Sequence, residues 1–342
     1  MKPQFLFLFL LFSCTQLPVK KKLELTSSPD LEKLWVQNGC YLYTNKKNLK
    51  SYPGMYCVFL PDGSFLSANE QSLKKISPKQ EVLWEVPGHY HHQLNLSPDG
   101  QRIYALSSEV VVRNKIAERD DVLMILDLNG KILRRVNSTT IVRSVGGEPL
   151  NWYKPVELAV VKATIETTHF NSFYEIPENA YSATVPWMKA GNLIVNSIKL
   201  GIFVLSPDLS HVLSHHLIPH ENQLHDVQVT PDGNFLIFNN WAQSTDGNRF
   251  SAIQKYDPVT KKITTLFEAS PKETFYSPAC GGVQELGDLI FFNHITGGGF
   301  IWSVPEQKLI KSFQGYNGKR QALTPMQQLK LVDVGEFFKN SK

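Results

Sequence analysis

Three histidines stand where their side chains can act together. "HHQLNLSPDG" runs from His91 to Gly100 and "LHDVQVTPDG" from Leu224 to Gly233, two copies of one phrase 133 residues apart. Each places a histidine, His92 or His225, six residues before a Pro-Asp-Gly turn. A stretched third copy contains "THFNSFYEIPE", in which Asn171 takes the same slot and His169 lies two residues before it. Imidazole titrates near neutral pH, so histidines brought together can attack as nucleophiles, move protons or ligate a metal. A lone histidine is usually an ordinary core or surface residue, but a shared offset from a repeated turn is a stronger signal. His211, His215, His216 and His220 share no such offset and read as structural residues around one loop. His89 and His91 flank His92, and His294, in "FFNH", aligns with "FNNW" and ends a strand near the same place.

The turns themselves show what must position these residues. "YCVFLPDGSFLSANE" (Tyr56 to Glu70), "QLNLSPDGQRIYALSS" (Gln93 to Ser108) and "DVQVTPDGNFLIFNN" each read as an alternating strand, a tight turn and a second apolar strand. "GGVQELGDLIFFNH" repeats the pattern with Gly287-Asp288 in place of the proline turn. Third and fourth strands follow, as in "VLMILDLNGKILRRV" and "SAIQKYDPVTKKITTLFE", with Asn-Gly and Asp-Pro marking their hairpins. Four antiparallel strands at intervals of roughly 40 to 55 residues point to an all-β fold, a β-propeller. One four-stranded sheet cannot bury both its faces, whereas radially arranged blades bury one another. Five units are evident, and a sixth forms if Leu34 to Tyr43 pairs with the stretch after Gly318. Inner strands line the axis of a propeller, so the slot holding Met55, His92, Asn171, His225 and Gly281 converges on one mouth of the channel. The segment at about 137–168 does not fit the repeat and reads as an excursion from one end of the ring.

The remaining features concern address and partners. "MKPQFLFLFLLFSC" has one lysine, an apolar run from Phe5 to Phe12 and then Ser13-Cys14, the form of an export signal. The run is too short for a bilayer span, which needs ~20 apolar residues. Leu11-Phe12-Ser13-Cys14 resembles a bacterial lipobox, which implies a signal peptide over 1–13 and lipidation at Cys14. Residues 14–33, with Lys20 to Lys22, read as a tether above anionic headgroups, and 34–342 as a single propeller domain. Thr15 after the cysteine points to the outer membrane, facing the periplasm of the bacterial cell envelope. Losing residues 1–13 removes only Lys2, taking the formal charge from +4 to +3. That charge is scattered, without an arginine-rich stripe, so nucleic acid is not an expected partner. Cys40, Cys57 and Cys280 remain, which allows one disulfide and one free thiol without choosing the pair.

Taken together, "HHQLNLSPDG", "THFNSFYEIPE" and "LHDVQVTPDGNFLIFNN" followed by "SAIQKYDP" resemble the bacterial arylsulfate sulfotransferase family, in order, over roughly residues 55 to 310. The resemblance implies a six-bladed periplasmic propeller that moves a sulfuryl group from an aryl sulfate to a phenolic acceptor. It implies His225 as the nucleophile that becomes a sulfohistidine, with His92 and His169 stabilising sulfuryl oxygens or protonating the leaving phenolate. Asn171, Lys199 and His294 then fall to substrate binding, and no cofactor and no metal is implied. The chain departs from the family in two places. Where the family has an arginine after the His-Asn-Ser strand, this chain reads "LIVNSIKLGIFVLS", with Lys199 the nearby cation, and Gln93 stands where an aspartate follows the first histidine pair. A lysine is a point charge without the guanidinium fork. Two other classes compete: a non-catalytic propeller lipoprotein that binds a ligand or partner at its channel mouth, and a metal-dependent hydrolase or lyase with His92, His169 and His225 as ligands. Ring nitrogens able to reach one point at ~2.1 Å favour the metal; a wider funnel with Lys199 turned inward favours sulfuryl transfer.

Overall fold

The computed structural model describes residues 35–43, 50–113, 116–147, 164–166, 168–218, 223–243, 249–268, 277, 280–293, 299–313, 329–332 and 334–341. Its strands form six antiparallel sheets, each with a four-stranded path, in the order of a six-bladed β-propeller. The inner strands of the first five blades are Tyr56–Phe59, His89–Leu96, Phe170–Glu175, Leu224–Val229 and Gly282–Leu286. The sixth blade is assembled from both ends of the chain: Leu329–Val332 pairs with Trp35–Asn38, followed by Tyr41–Tyr43 and Lys50–Ser51. The expected closure between the two ends is therefore present. It is reinforced toward the first blade by the Cys40–Cys57 disulfide and by Gln37, whose amide donates to the Cys57 carbonyl at 2.6 Å. A C-terminal helix, Gly335–Asn340, adds Phe337 to a buried cluster with Phe65 and Leu42 at the same seam.

The repeated turns form for a local reason. In "PDG" the aspartate accepts from the N–H two residues on, at 3.0 Å for Asp62 with Ser64 and for Asp99 with Gln101. The following glycine takes a positive φ, +81° at Gly63 and +78° at Gly233, which a side chain would strain. At Gly233 a Cβ would also lie 2.7 Å from the Tyr181 ring, so the turn and the packing both require glycine there. Each turn returns an apolar strand into the space between blades. Phe203, Tyr104, Phe173 and Leu193 fill the gap between the second and third blades; Ile194, Val227, Phe235 and Met188 fill that between the third and fourth.

The second blade departs from the repeat. Its strands Arg102–Arg113 and Ile116–Asp127 run past the start of the inner strand, since His89 already pairs with Ser108. Part of the expected excursion at 137–168 is blade core. Helix Ser138–Ser144 is seated on Asp120, which accepts from the Ser138 hydroxyl at 2.7 Å and the Thr139 hydroxyl at 2.6 Å, and it buries Ile141 and Val142 against the second and third blades. Thr164–Glu166 adds a parallel strand along Ala117–Arg119. Residues 148–163 lie outside the described residues, as do the expected signal peptide, Cys14 and the tether. Among the described residues no helix is long and apolar enough to cross a membrane.

Candidate functional site

His92, His169 and His225 meet, although they come from three blades. The His92 ring centroid lies 5.0 Å from that of His169 and 6.3 Å from that of His225. His91 joins them, its ring edge-on to His92 at 4.7 Å. The aligned slot proves to be a break in strand register, and it recurs in all three blades. Residues 91–93 are skipped between the Tyr90–Ser107 and Leu94–Ala105 pairs, Asn171 between Phe170 and Ser172, and His225 between Leu224 and Asp226. A bulge of this kind re-aims a side chain out of the pleat. His92 and His169 also have φ of +56° and +48°. A left-handed backbone costs a non-glycine residue about 1 kcal/mol and persists where its surroundings hold it. His169 thus reaches the cluster from a left-handed residue just before its strand, and not by sharing a strand face with Asn171 as the spacing suggested.

Neighbouring blades hold these bulges in place. The side-chain amides of Asn171 and Asn196 both donate to the Leu224 carbonyl at 3.0 Å, and Ser172 Oγ accepts from Val227 N–H at 3.2 Å. His225 lies between those two anchors. The His169 carbonyl accepts from Ile198 N–H at 3.0 Å, and the Thr168 carbonyl from Ser197 Oγ at 2.5 Å. Asp226 turns away from His225, as its place on the strand suggested. Its carboxylate accepts from Val283 N–H in the next blade at 3.1 Å and from the Tyr174 hydroxyl in the previous one at 3.1 Å.

The histidine cluster carries uncommitted polar atoms. Nδ1 of His91, His92 and His225, together with Oδ1 of Asn171, are buried without a hydrogen-bond partner. Buried polar groups are ordinarily paired, so orphans this close together make the mouth the candidate site for a ligand, ion or water. Burial, then the neighbouring imidazoles and Arg119, hold His92 well below the usual histidine range. Burial, followed by His169, pushes His225 down to about 3. Both rings are neutral at pH 7, and a neutral ring nitrogen keeps the lone pair that a nucleophile needs. Burial pushes the Tyr56 phenol, beside them on the first blade, up to about 12 against the pull of the His92 backbone N–H.

Other expected site residues fall elsewhere. Lys199 is exposed in the turn Ile198–Leu200, so it does not supply a charge inside the cluster. His294 lies outside the described residues. His211 is exposed in a turn, while His215 stacks on Phe203 at 4.3 Å and His216 is buried against Trp187, Phe235 and Tyr256, both on the outer strand of the third blade rather than in a loop. Arg119 is the cation that sequence spacing missed. It comes from the third strand of the second blade, donates from Nε to Ser108 Oγ at 3.1 Å, and its charge bears on His92, His89 and Tyr56. Only the overlong hairpin brings it there, and no repeat offset signals it. Among the described residues, no three His, Cys, Asp or Glu side chains are grouped as ligands of one ion.

Comparison with known proteins adds little to this geometry. No family model and no curated protein matches the chain. A solved structure, a protein of unknown function from Bacteroides caccae, is similar over 87% of this chain and 98% of its own, at 13% identity and a TM-score of 0.47, a likeness that carries no argument about activity.

Proposed function

We propose that the chain is an exported, lipid-anchored propeller that transfers a sulfuryl group from an aryl sulfate to a phenolic acceptor through His225. One observation supports this above the others: histidines from three blades meet, two of them, His92 and His225, neutral and with a buried Nδ1 that makes no hydrogen bond, and the Arg119 charge bears on His92. A ring nitrogen of His225 attacks sulfur, the N–S bond forms, and the S–O bond to the aryl group breaks. The departing phenolate takes a proton from the His92 or His169 ring; an acceptor phenol later gives its proton back to that ring as its oxygen attacks the same sulfur and the N–S bond breaks, restoring the free imidazole. His92 and His169 face the three sulfuryl oxygens, whose charge grows in the transition state, and donors preorganised in a buried site act strongly there. Arg119 takes the part of the cation that the sequence pattern assigned to Lys199.

The test is direct. Purified protein is incubated with a chromogenic aryl sulfate and phenol, with and without a chelator. Phenolate release that survives chelation supports sulfuryl transfer. Release abolished by the chelator assigns the histidines to a metal, and no release from folded protein assigns the mouth to ligand binding.

A further inference from the structure

The residues on either side of two site histidines converge on one carboxylate. Asp121 is wholly buried on the third strand of the second blade, two residues beyond Arg119. Its Oδ2 accepts from Phe170 N–H at 2.7 Å and from the Thr168 hydroxyl at 2.9 Å, the two residues that bracket His169. Its Oδ1 lies 3.2 Å from His91 Nε2, and His91 immediately precedes His92. The two left-handed histidines, on different blades, are therefore tied to a single group.

We infer that Asp121 is the positioning residue of the cluster: it accepts from Thr168 and Phe170 through Oδ2 while Oδ1, which makes no hydrogen bond of its own, stands 3.2 Å from His91 Nε2, so its carboxylate sets the approach of His169 to His92. The inference rests on the same cluster being the working site, but not on sulfuryl being the group transferred. The carboxylate does this as an anion. Burial alone would raise its pKa, yet His91 and the Phe170 N–H outweigh burial and hold it below the usual aspartate range.

The tie to His91 also fixes a tautomer. His91 Nε2 lies 2.9 Å from the Ser107 carbonyl as well as near Asp121 Oδ1, and both oxygens can only accept. Nε2 therefore carries a proton directed at the Ser107 carbonyl, and the buried Nδ1 beside His92 makes no hydrogen bond within the protein. Asp121→Asn keeps one oxygen for Phe170 and Thr168 but turns an NH2 group toward the His91 N–H, so two donors face each other. Thr168→Val does the converse, leaving the carboxylate and His91 in place while cutting one tie to the His169 segment.

Both variants are made in the full chain with 15N-labelled histidine rings. In Asp121→Asn the ring resonances of His91, His92 and His169 should move while those of His211 and His215 stay. In Thr168→Val the change should centre on His169. Where aryl-sulfate turnover is present, Asp121→Asn should lower kcat by ~10–100-fold, the scale for losing a group that orients an active side chain, with KM for the donor within about 2-fold. Unmoved His92 and His169 resonances in Asp121→Asn would overturn the inference. If that variant does not fold, an unmoved His169 in Thr168→Val overturns it. Should the wild-type chain turn over no aryl sulfate, the ring resonances alone still decide the role of Asp121.

Discussion

The mouth of the propeller and the band just beneath it use the same residue types to opposite ends. In the band, Gln93 hydrogen-bonds the Tyr174 hydroxyl and accepts from Phe173 N–H at 2.5 Å, and Tyr174 in turn donates to Asp226. Gln228 reaches the Val283 carbonyl at 2.6 Å and Asp226 the Val283 N–H, so the second, third, fourth and fifth blades are linked in a row. One step nearer the mouth, His92, His225 and Asn171 come from the same inner strands and leave buried atoms unpaired. Polar groups in the band are committed to holding strands together. Those at the mouth are held by the strands and kept available, which is the division expected between scaffold and site.

Substitutions should separate the two regions, and the largest effect belongs to the mouth. His225→Ala should abolish aryl-sulfate turnover while the protein still folds cooperatively, because the buried Nδ1 of that ring makes no hydrogen bond that the substitution would break. Loss of cooperative folding in that variant would make His225 a band residue in disguise. His92→Ala and His169→Ala should each slow turnover by roughly 10²–10³-fold, the scale for removing one transition-state donor. Equal KM and kcat losses, or none, would detach them from the chemical step.

In the band the order reverses. Asp226→Asn should lower unfolding free energy by about 1–3 kcal/mol in denaturant titrations, since its amide cannot accept from both Val283 N–H and the Tyr174 hydroxyl. Its effect on kcat should be smaller than that of any mouth histidine. A stable Asp226→Asn with abolished turnover would move the boundary between the regions.

Acid should act through the histidines. His225 and His216, at about 3 and about 4 in the fold, are neutral there but bind protons in the unfolded chain below its ordinary pKa of 6.5. The unfolded state therefore binds more protons in that window. Stability is full above pH 6.5 and falls as the pH drops toward 4, by at most about 1.4 kcal/mol per pH unit for each ring. In His216→Phe, which removes a buried core ring outside the mouth, the slope should flatten by one ring's share.

Much of the scaffold was legible in the chain because its causes are local. Asp and Gly in the "PDG" turns write the hairpins directly, and the repeat spacing implies blades that cover each other. The sixth blade could be read from unpaired strand patterns at the two ends. The convergence of His92, His169 and His225 was legible through their shared slot, although the slot works by a bulge rather than by strand alternation. Where that bulge breaks the period of two, the reading failed: His91 seemed a flanking residue because alternation turned it away from His92. Arg119 and Asp121 were not legible either. They lie on a third strand, and only the overlong hairpin of the second blade carries them to the mouth. Lys199 illustrates the opposite error, a charge near in sequence whose turn places it in solvent.

If His225 carries the transferred group, that group can be trapped on its ring. The protein is mixed with an aryl sulfate without acceptor, quenched at alkaline pH, digested and mapped by mass spectrometry. One sulfuryl adduct should appear, on the peptide containing His225, vanish on adding phenol and be missing from His225→Ala. An adduct on another residue, or turnover undiminished in His225→Ala, would contradict it.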